Sequence, residues 1–442
     1  MAAIRQMVLW RQLRVPAAAI LLVAIAFSLV RARDQPDVAV SVGNTSAHVV
    51  PGDIALFLVF VVVLVTLVCR GGLPRAMRVA FAGGVAFLVL VLATAAANGA
   101  GALVAAGKMA ELAVLAAGAA LLARAEDVLE AIVDVLLLFT LVADAIGLVK
   151  FVTGGGGRQS AFLGEHDFAA LAALPLLYGY VLAFAGRRPR RAALAIVAGA
   201  VGCTLGAALA SLLGLYLGAA ALVLLAALRG FLRLRPLVVV AVTLAAVTGG
   251  TVAIRGGELS FLQSWFGKPP SRPGQYAASW SQRLIYTYVD GRVFLDHPVL
   301  GTGWYPDLPP REFDRYLSAA HRRFSDQPAN YFPPPDRPLN PQQTFDQIPA
   351  ELGVVGSAAF LVLLAGAVRV AARAPLGAAW LGAGIGAIAG EALYGGTPLT
   401  ATFWLAVGVA LAAGTWGAAP LVAAARGVSL PSSSSDRSLT GV

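Results

Sequence analysis

Long apolar runs separated by short polar joints fill most of the chain, the pattern of successive membrane-crossing helices. A bilayer core takes roughly 20 apolar residues per helix, with about 17 to 25 tolerated. Runs of that size fall near 15–31, 51–69, 79–97, 107–124, 127–149, 168–186, 191–209, 211–229, 236–254, 350–370, 376–395 and 399–417. Lipid offers backbone groups no partner, so each run is read as a helix. The expected fold is an all-α polytopic membrane protein with about twelve spans. Nine spans lie in 1–254, a large polar loop fills 255–345, three more spans occupy 346–418, and a disordered tail covers 419–442. Within the loop, Phe313, Leu317, Ala320 and Phe324 recur at helical spacing after Pro309 and Pro310. They predict a helix lying on the membrane surface or capping a cavity. Pro333, Pro334, Pro335, Pro338 and Pro341 predict an extended connector into the tenth run.

Composition sharpens this picture. Of 442 residues, 58% are hydrophobic and 13% charged, whereas soluble domains carry about a quarter charged residues. A water-soluble fold is excluded for most of the chain. The net charge of +10 comes from arginines in short clusters between apolar runs. That distribution argues against a nucleic-acid partner and for a topology signal. Arg70, Arg75 and Arg78 follow the second run, Arg124 the fourth, Arg187, Arg188, Arg190 and Arg191 the sixth, Arg229, Arg233 and Arg235 the eighth, and Arg369 and Arg373 the tenth. Short cytoplasmic loops retain positive charge, so both termini are expected inside and the 255–345 loop outside. Arg31 and Arg33 break the alternation, offset by Asp34 and Asp37. Arg5, Arg11 and Arg14 precede the first run, which reads as an uncleaved anchor. Cys69 and Cys203 both sit inside apolar runs, leaving the exposed loops without a disulfide or thiolate metal site. Lysine is confined to Lys108, Lys150 and Lys268 while alanine, glycine and arginine abound, as in a GC-rich bacterial genome.

Candidate chemistry gathers on the outward side. Arg158 and Arg283 offer the planar donor fork that a diphosphate requires; the bland alternative is that each anchors a helix end among headgroups. Arg158 follows the Gly154, Gly155, Gly156, Gly157 run, which lacks the Lys-Ser or Lys-Thr of a phosphate-binding loop. Ionisable groups in membrane segments are costly and informative. Asp134 and Asp144 fall in the fifth run, Glu351 at the start of the tenth and Glu391 toward the end of the eleventh. Each also has a plain structural explanation in a helix-helix hydrogen bond or a helix-terminus contact. His297 and His321 are the loop histidines. No metal-ligand spacing, Walker loop or cofactor motif occurs, so neither metal nor cofactor is expected.

Three blocks carry a family resemblance. They are Gly156-Gly157-Arg158 through Phe162, Gly164, Asp167, Phe168 and Ala170; Ser281-Gln282-Arg283 followed by Asp296-His297-Pro298-Val299-Leu300-Gly301-Thr302-Gly303; and Gln342 through Gly356, containing Ala350-Glu351-Leu352-Gly353. In this order, around a large loop between the ninth and tenth runs, the chain resembles the O-antigen ligase and O-antigen polymerase superfamily. The resemblance implies a glycosyltransferase of the bacterial inner membrane, active on the extracytoplasmic face. It would move a glycan from a polyprenyl (undecaprenyl) diphosphate carrier to a glycan or glycolipid acceptor hydroxyl, without metal or nucleotide. By the same resemblance Arg158 and Arg283 bind the donor diphosphate, and Asp167 and Asp296 belong to the substrate-binding blocks. One departure matters: ligases begin the last block with His-Asn, where this chain has Gln342 and Gln343. Glutamine cannot act as a general base. Glu351, His321 and Asp346 are the alternatives, with Glu351 favoured for its place on the same segment, unless the acceptor differs or catalysis is impaired. Ser211-Leu212 also departs from the Ser-Arg of many relatives. Rival readings are a lipid-linked glycan flippase and a non-catalytic relative that binds glycan lipid.

Overall fold

In a computed structural model the chain is described at residues 2–70, 72–154, 156–256, 278–305, 310–325, 327–334 and 341–416, with backbone alone at 2–12, 278–281, 310–314 and 416. Gly155, Lys268, Pro309, Pro335, Pro338 and the 419–442 tail fall outside these residues. Each predicted apolar run overlaps a helix. These are α1 (Ala2–Ser28), α2 (Pro51–Cys69), α3 (Arg78–Ala97), α4 (Ala100–Leu122), α5 (Glu126–Thr153), α6 (Glu165–Ala185), α7 (Pro189–Gly206), α8 (Leu209–Leu228) and α9 (Leu234–Arg255). After α10 (Ala278–Asp296) and α11 (Pro310–Arg323) come α12 (Thr344–Ala371), α13 (Pro375–Ile388) and α14 (Pro398–Trp416). Among the described residues nine helices are long and apolar enough to cross a membrane; Leu13–Ser28 and Pro375–Ile388 are shorter apolar helices. The protein is a predominantly helical, multi-pass membrane protein.

The all-α expectation needs one correction. Val38–Val42 (β1) and Thr45–Val49 (β2) pair as an antiparallel hairpin in the register Val42↔Thr45 to Val38↔Val49. Alternating Val38, Val40 and Val42 before Gly43-Asn44 is a period-two pattern with a two-residue turn, masked by the short loop it sits in.

Helices α6 and α14 form the buried axis, each 94% buried over its apolar window, whereas α9 is 17% buried and skirts the bundle. Close crossings rely on small residues, as expected where lipid supplies no hydrophobic drive between helices. A Cβ on Gly386 of α13 would meet Gly214 of α8 at 2.2 Å, and one on Gly199 of α7 would meet Leu176 of α6 at 2.5 Å.

Side-chain contacts sort the helix ends into two groups. At one end Arg70 donates to Leu121 O, Arg229 to Ala372 and Arg373 O, and Arg188 and Arg191 pair with Glu130. These join the ends of α2, α4, α8 and α12 and the starts of α5 and α7, which carry the arginine clusters. At the opposite end the starts of α6, α8, α12 and α14 meet the ends of α5, α7 and α9.

Part of the 255–345 segment is folded here. Helices α10 and α11 and the Ala329–Tyr331 turn bury Ile285, Val289, Val293, Leu317, Ala320, Tyr331 and Phe332 in a small separate core. The apolar stripe of α11 therefore faces α10 rather than a membrane surface. Its polar face carries Arg315, paired with Asp296 at 2.5 Å.

The 298–303 segment docks into a break in α12. Gly353 adopts φ +62°, and the amides freed there are satisfied as Val354 N donates to Pro298 O at 2.8 Å and Val355 N to Val299 O at 3.2 Å. In return Thr302 N and Gly303 N donate to Ala350 O and Glu351 O at 3.1 and 2.7 Å. A Cβ on Gly353 would lie 2.4 Å from Val299 C, and one on Gly301 2.3 Å from Glu351 C. Broken helices at membrane depth are tolerated only where the protein satisfies the released groups; this chain does so with its own loop.

Candidate functional site

At the end opposite the arginine clusters, a cavity of about 490 Å³ is lined by Arg158, Arg255 and Arg283, by Thr287, Gln343 and Asp346, and by Leu209, Leu213 and Leu284. Each guanidinium is held from a different element. Arg158 precedes α6, donates from Nε to Gly206 O at 3.3 Å and pairs with Glu165 at 2.9 Å. Arg255 ends α9 and donates to Ala207 O at 3.2 Å. Arg283 lies in the first turns of α10, donates to Gly390 O at 2.6 Å and approaches Glu391 Oε1 at 3.4 Å. Three delocalised cations fixed by backbone carbonyls make a rigid anion cradle, and half-exposed Leu213 and Leu284 give it an apolar flank.

Asp346 accepts from Thr287 Oγ1 at 2.5 Å, and Gln343 Nε2 donates to the same hydroxyl at 3.2 Å. Behind them Asp290 of α10 is 1% exposed, with neither carboxyl oxygen hydrogen-bonded. Burial, then the facing carboxylates of Asp346 and Glu351, push the Asp290 carboxyl well above the usual range.

A second cavity of about 420 Å³ adjoins the first, lined by Arg31, Ser160, Glu165, Asp167, Tyr394 and Thr397 among others. His166 lines both. Its Nδ1 lies 3.2 Å from Glu391 Oε1, its Nε2 accepts from Arg158 Nη2 at 3.3 Å, and its carbonyl accepts from Ser211 Oγ at 3.3 Å. Burial pushes the Glu391 carboxyl above the usual carboxylate range, against the Arg283 guanidinium, which holds it down. Asp167 accepts from Arg31 at 3.1 Å and from Leu399 N at 2.8 Å, tying α1, α6 and α14 together beneath this cavity.

The residues singled out in the sequence thus divide. Arg158 and Arg283 share the cationic cavity, and Asp167 lines its neighbour. Glu351 lines neither: it is 2% exposed, and its carboxylate accepts from Gln347 Nε2 and Tyr305 N, both at 3.3 Å. The 298–303 segment that docks into the α12 break covers it. His321 stacks on Phe332, ring centroids 3.8 Å apart, in the outer lobe, and Asp296 is taken by Arg315. Gln342 also stays out of both cavities, whereas Gln343 enters the first. Glu391, expected inside a helix, lies beyond the end of α13 in the loop to α14. Gly390, Gly395, Gly396 and Pro398 are the breaker residues that put it there. Arg255, His166 and Thr287 line the first cavity too, although in the sequence Arg255 marks only the start of the long loop, and His166 only the outward segment after Arg158.

Taken together, bundle and site define a multi-pass membrane protein with a cationic, partly apolar cavity at one end. Residues 194–361 match the family described as O-antigen ligase. That match agrees with the O-antigen ligase and polymerase superfamily that the motifs of the chain resemble. Members of that family are glycosyltransferase-like ligases and polymerases. No curated protein matches the chain. The matched stretch contains Arg255, Arg283, Thr287, Asp290, Gln343 and Asp346, while Arg158, His166 and Glu391 lie outside it and reach the site through the fold.

Proposed function

We propose that the protein transfers a glycan from a polyprenyl diphosphate to an acceptor hydroxyl, as a ligase or polymerase. The observation that carries this reading is the convergence of Arg158, Arg255 and Arg283 on one cavity with leucines on its flank. A lipid diphosphate is an anionic headgroup on an apolar tail, and this cavity offers fixed cations beside apolar wall. The same guanidiniums would stabilise charge growing on the diphosphate as the glycan leaves, so the donor needs no metal to neutralise it. Positive charge concentrated at the opposite helix ends supports a topology of twelve spans with the site on the extracytoplasmic face of the bacterial inner membrane. The flippase reading draws on the broken α12, but the groups freed at that break are filled by the chain's own 298–303 segment rather than left for cargo.

The test is purified protein in lipid nanodiscs, given polyprenyl diphosphate glycan and the envelope glycans of its own cell. Transfer to an acceptor is the expected result. Donor translocation across the bilayer without transfer would replace the enzyme by a flippase, and donor binding with neither would favour a non-catalytic relative. Sidedness is read independently with a single cysteine at Ser325 in whole cells, which should react with an impermeant maleimide.

A further inference from the structure

Three helices leave a hollow between them at the arginine-rich end of the bundle. Leu182 and Ala183 from the last turn of α6, Ala192, Ile196 and Val197 from α7, and Val239 from α9 line a groove of about 390 Å³. Val197 is 61% exposed and Val239 37% exposed, so the groove opens on the outer flank of the bundle, beside the sparsely buried α9. From Pro189 at its mouth to Val197 the helix rises about 12 Å. The groove therefore runs from the level of the lipid headgroups into the hydrocarbon.

Its mouth is cationic. Arg187 lines it, and the left-handed turn at Gly186, φ +65°, admits Arg233 alongside, where a Cβ on Gly186 would lie 3.3 Å from Arg233 Nη1. Exposed Arg190 lies on the row of α7 that continues through the groove residues Ala193 and Val197. Nearby carboxylates leave this charge in excess. Glu126, Glu130 and Asp134 of α5 pair with Arg187, Arg188 and Arg191, and Asp127 with Arg14, whereas Arg190, Arg233 and Arg235 add charge beyond those pairs. The contact of Arg187 with Glu126 is 3.6 Å long between exposed side chains, an ion pair weak enough to exchange for another anion.

We propose that this groove binds one anionic phospholipid of the adjoining leaflet, its phosphodiester held by Arg187 and Arg233 and an acyl chain lying along Ile196, Val197 and Val239. The guanidinium fork matches phosphate oxygens, and basic pockets between membrane helices are suited to anionic headgroups. A zwitterionic lipid brings its own cation to the mouth and gains less there. A helix from a second copy of the chain would cover the apolar wall but offer the arginines no phosphate. The assignment is independent of the transfer reaction, because the groove lies at the opposite helix ends from Arg158, Arg255 and Arg283.

The test uses the full chain, delipidated in detergent and titrated with phosphatidylglycerol or phosphatidylcholine, with adducts counted by native mass spectrometry. Phosphatidylglycerol should bind at least about tenfold more tightly and raise Tm, as any ligand of the folded state does. Arg187→Gln combined with Arg233→Gln should weaken its binding by roughly fivefold for each arginine removed, with phosphatidylcholine unchanged. Raising salt to about 1 M should weaken phosphatidylglycerol alone, a comparison that needs no variant. Ala193→Trp, which fills the groove and keeps its charge, should abolish the high-affinity adduct; should it misfold, Val197→Trp does the same. A phosphatidylglycerol with a photoreactive acyl chain should label α7 or α9 beside Val197 and Val239. Equal affinity for the two lipids, an unchanged double variant, or labelling confined to other helices overturns the site. Displacement of phosphatidylglycerol by far lower concentrations of polyprenyl monophosphate would replace the bilayer lipid by a carrier lipid. A dimer in light scattering that Ala193→Trp dissolves would replace it by a second copy of the chain.

Discussion

The two ends of the helical bundle use arginine in opposite ways. At one end Arg70 and Arg229 reach helix-terminal carbonyls and Arg188 pairs with Glu130, each joining two helices that are not consecutive in the chain. At the other, Arg158, Arg255 and Arg283 make the same kinds of contact but from three elements that enclose a common cavity. Residue type and partner chemistry are alike at both ends; convergence separates them. A guanidinium closing a helix end satisfies carbonyls and retains charge on one side of the membrane, whereas three sharing a cavity create a field that one anion experiences at once. Arginine abundance therefore indicates topology, and arginine geometry indicates chemistry.

The sharpest way to break this contrast is to exchange arginine for lysine at both ends. Lysine keeps the charge and loses the planar fork. Arg283→Lys or Arg158→Lys should reduce transfer by roughly 10²- to 10³-fold, the scale of removing one preorganised donor from a developing anion. Arg229→Lys should stay within about 3-fold. Comparable losses at both ends, measured by single-turnover transfer in nanodiscs, would mean that convergence is not what matters.

A second perturbation addresses the docking of 298–303 into α12, which closes over Glu351 behind the site. Gly353→Val meets both a positive φ and a clash with Val299 C at 2.4 Å. A loss of about 3 kcal/mol is expected, the upper end of backbone strain at one residue. It would appear as a lowered Tm in detergent. Gly249→Ala on α9, where a Cβ meets nothing within 4 Å, should change Tm little. Equal behaviour of the two variants would remove the docking segment as a structural element.

Asp290 provides a smaller, pH-dependent effect confined to the site end. Its carboxyl holds a proton more tightly in the fold than in the unfolded chain, because of burial and the facing Asp346 and Glu351. From the ordinary value of 3.8 upward to the raised one, the folded state binds the extra proton, so stability falls as pH rises through that window. Asp290→Asn removes this contribution. Its Tm should decline less than that of the wild type between about pH 5 and pH 8. Parallel pH profiles would show that Asp290 does not sense its neighbours.

How much of this was legible in the sequence follows from the range of each interaction. Apolar run length is a local signal, and every run overlaps a helix, although the one at 376–395 is helical only to Ile388. Arg158 and Arg283 are legible because both fall on the outward side, where a diphosphate demands fixed cations, within the motif blocks. Arg255, at the end of an apolar run, differs in no local way from an anchoring arginine; only the packing of α9 beside α7 brings it to the cavity. Glu351 was misleading for the converse reason. It shares a segment with the cavity residues Gln343 and Asp346, yet the return of 298–303 onto Gly353 encloses it. Glu391 was assigned to a helix interior because hydropathy continues across Ala392 and Leu393, although Gly390 and Gly395-Gly396 end the helix sooner. The hairpin Val38–Val49 was missed because five-residue strands are short beside twenty-residue runs.

The smallest expected effect completes the comparison at the arginine-rich end. Arg188 contacts Glu130 at 2.6 Å with 43% of its side chain exposed, and Arg191 reaches the same carboxylate at 3.5 Å. An exposed ion pair gains little in a high-dielectric setting and loses side-chain freedom, so its worth is about 0.2–1 kcal/mol. Glu130 also keeps Arg191 when Arg188 is removed. Arg188→Gln should therefore lower Tm by no more than a degree or two, less still in high salt, and leave transfer unchanged. Because Arg187, Arg190 and Arg191 remain in the loop, orientation read at the Ser325 cysteine should also persist. If this one substitution inverted labelling, the α6–α7 loop alone would set topology, and the division of roles between the two ends would rest on a single residue rather than on the whole set of basic loops.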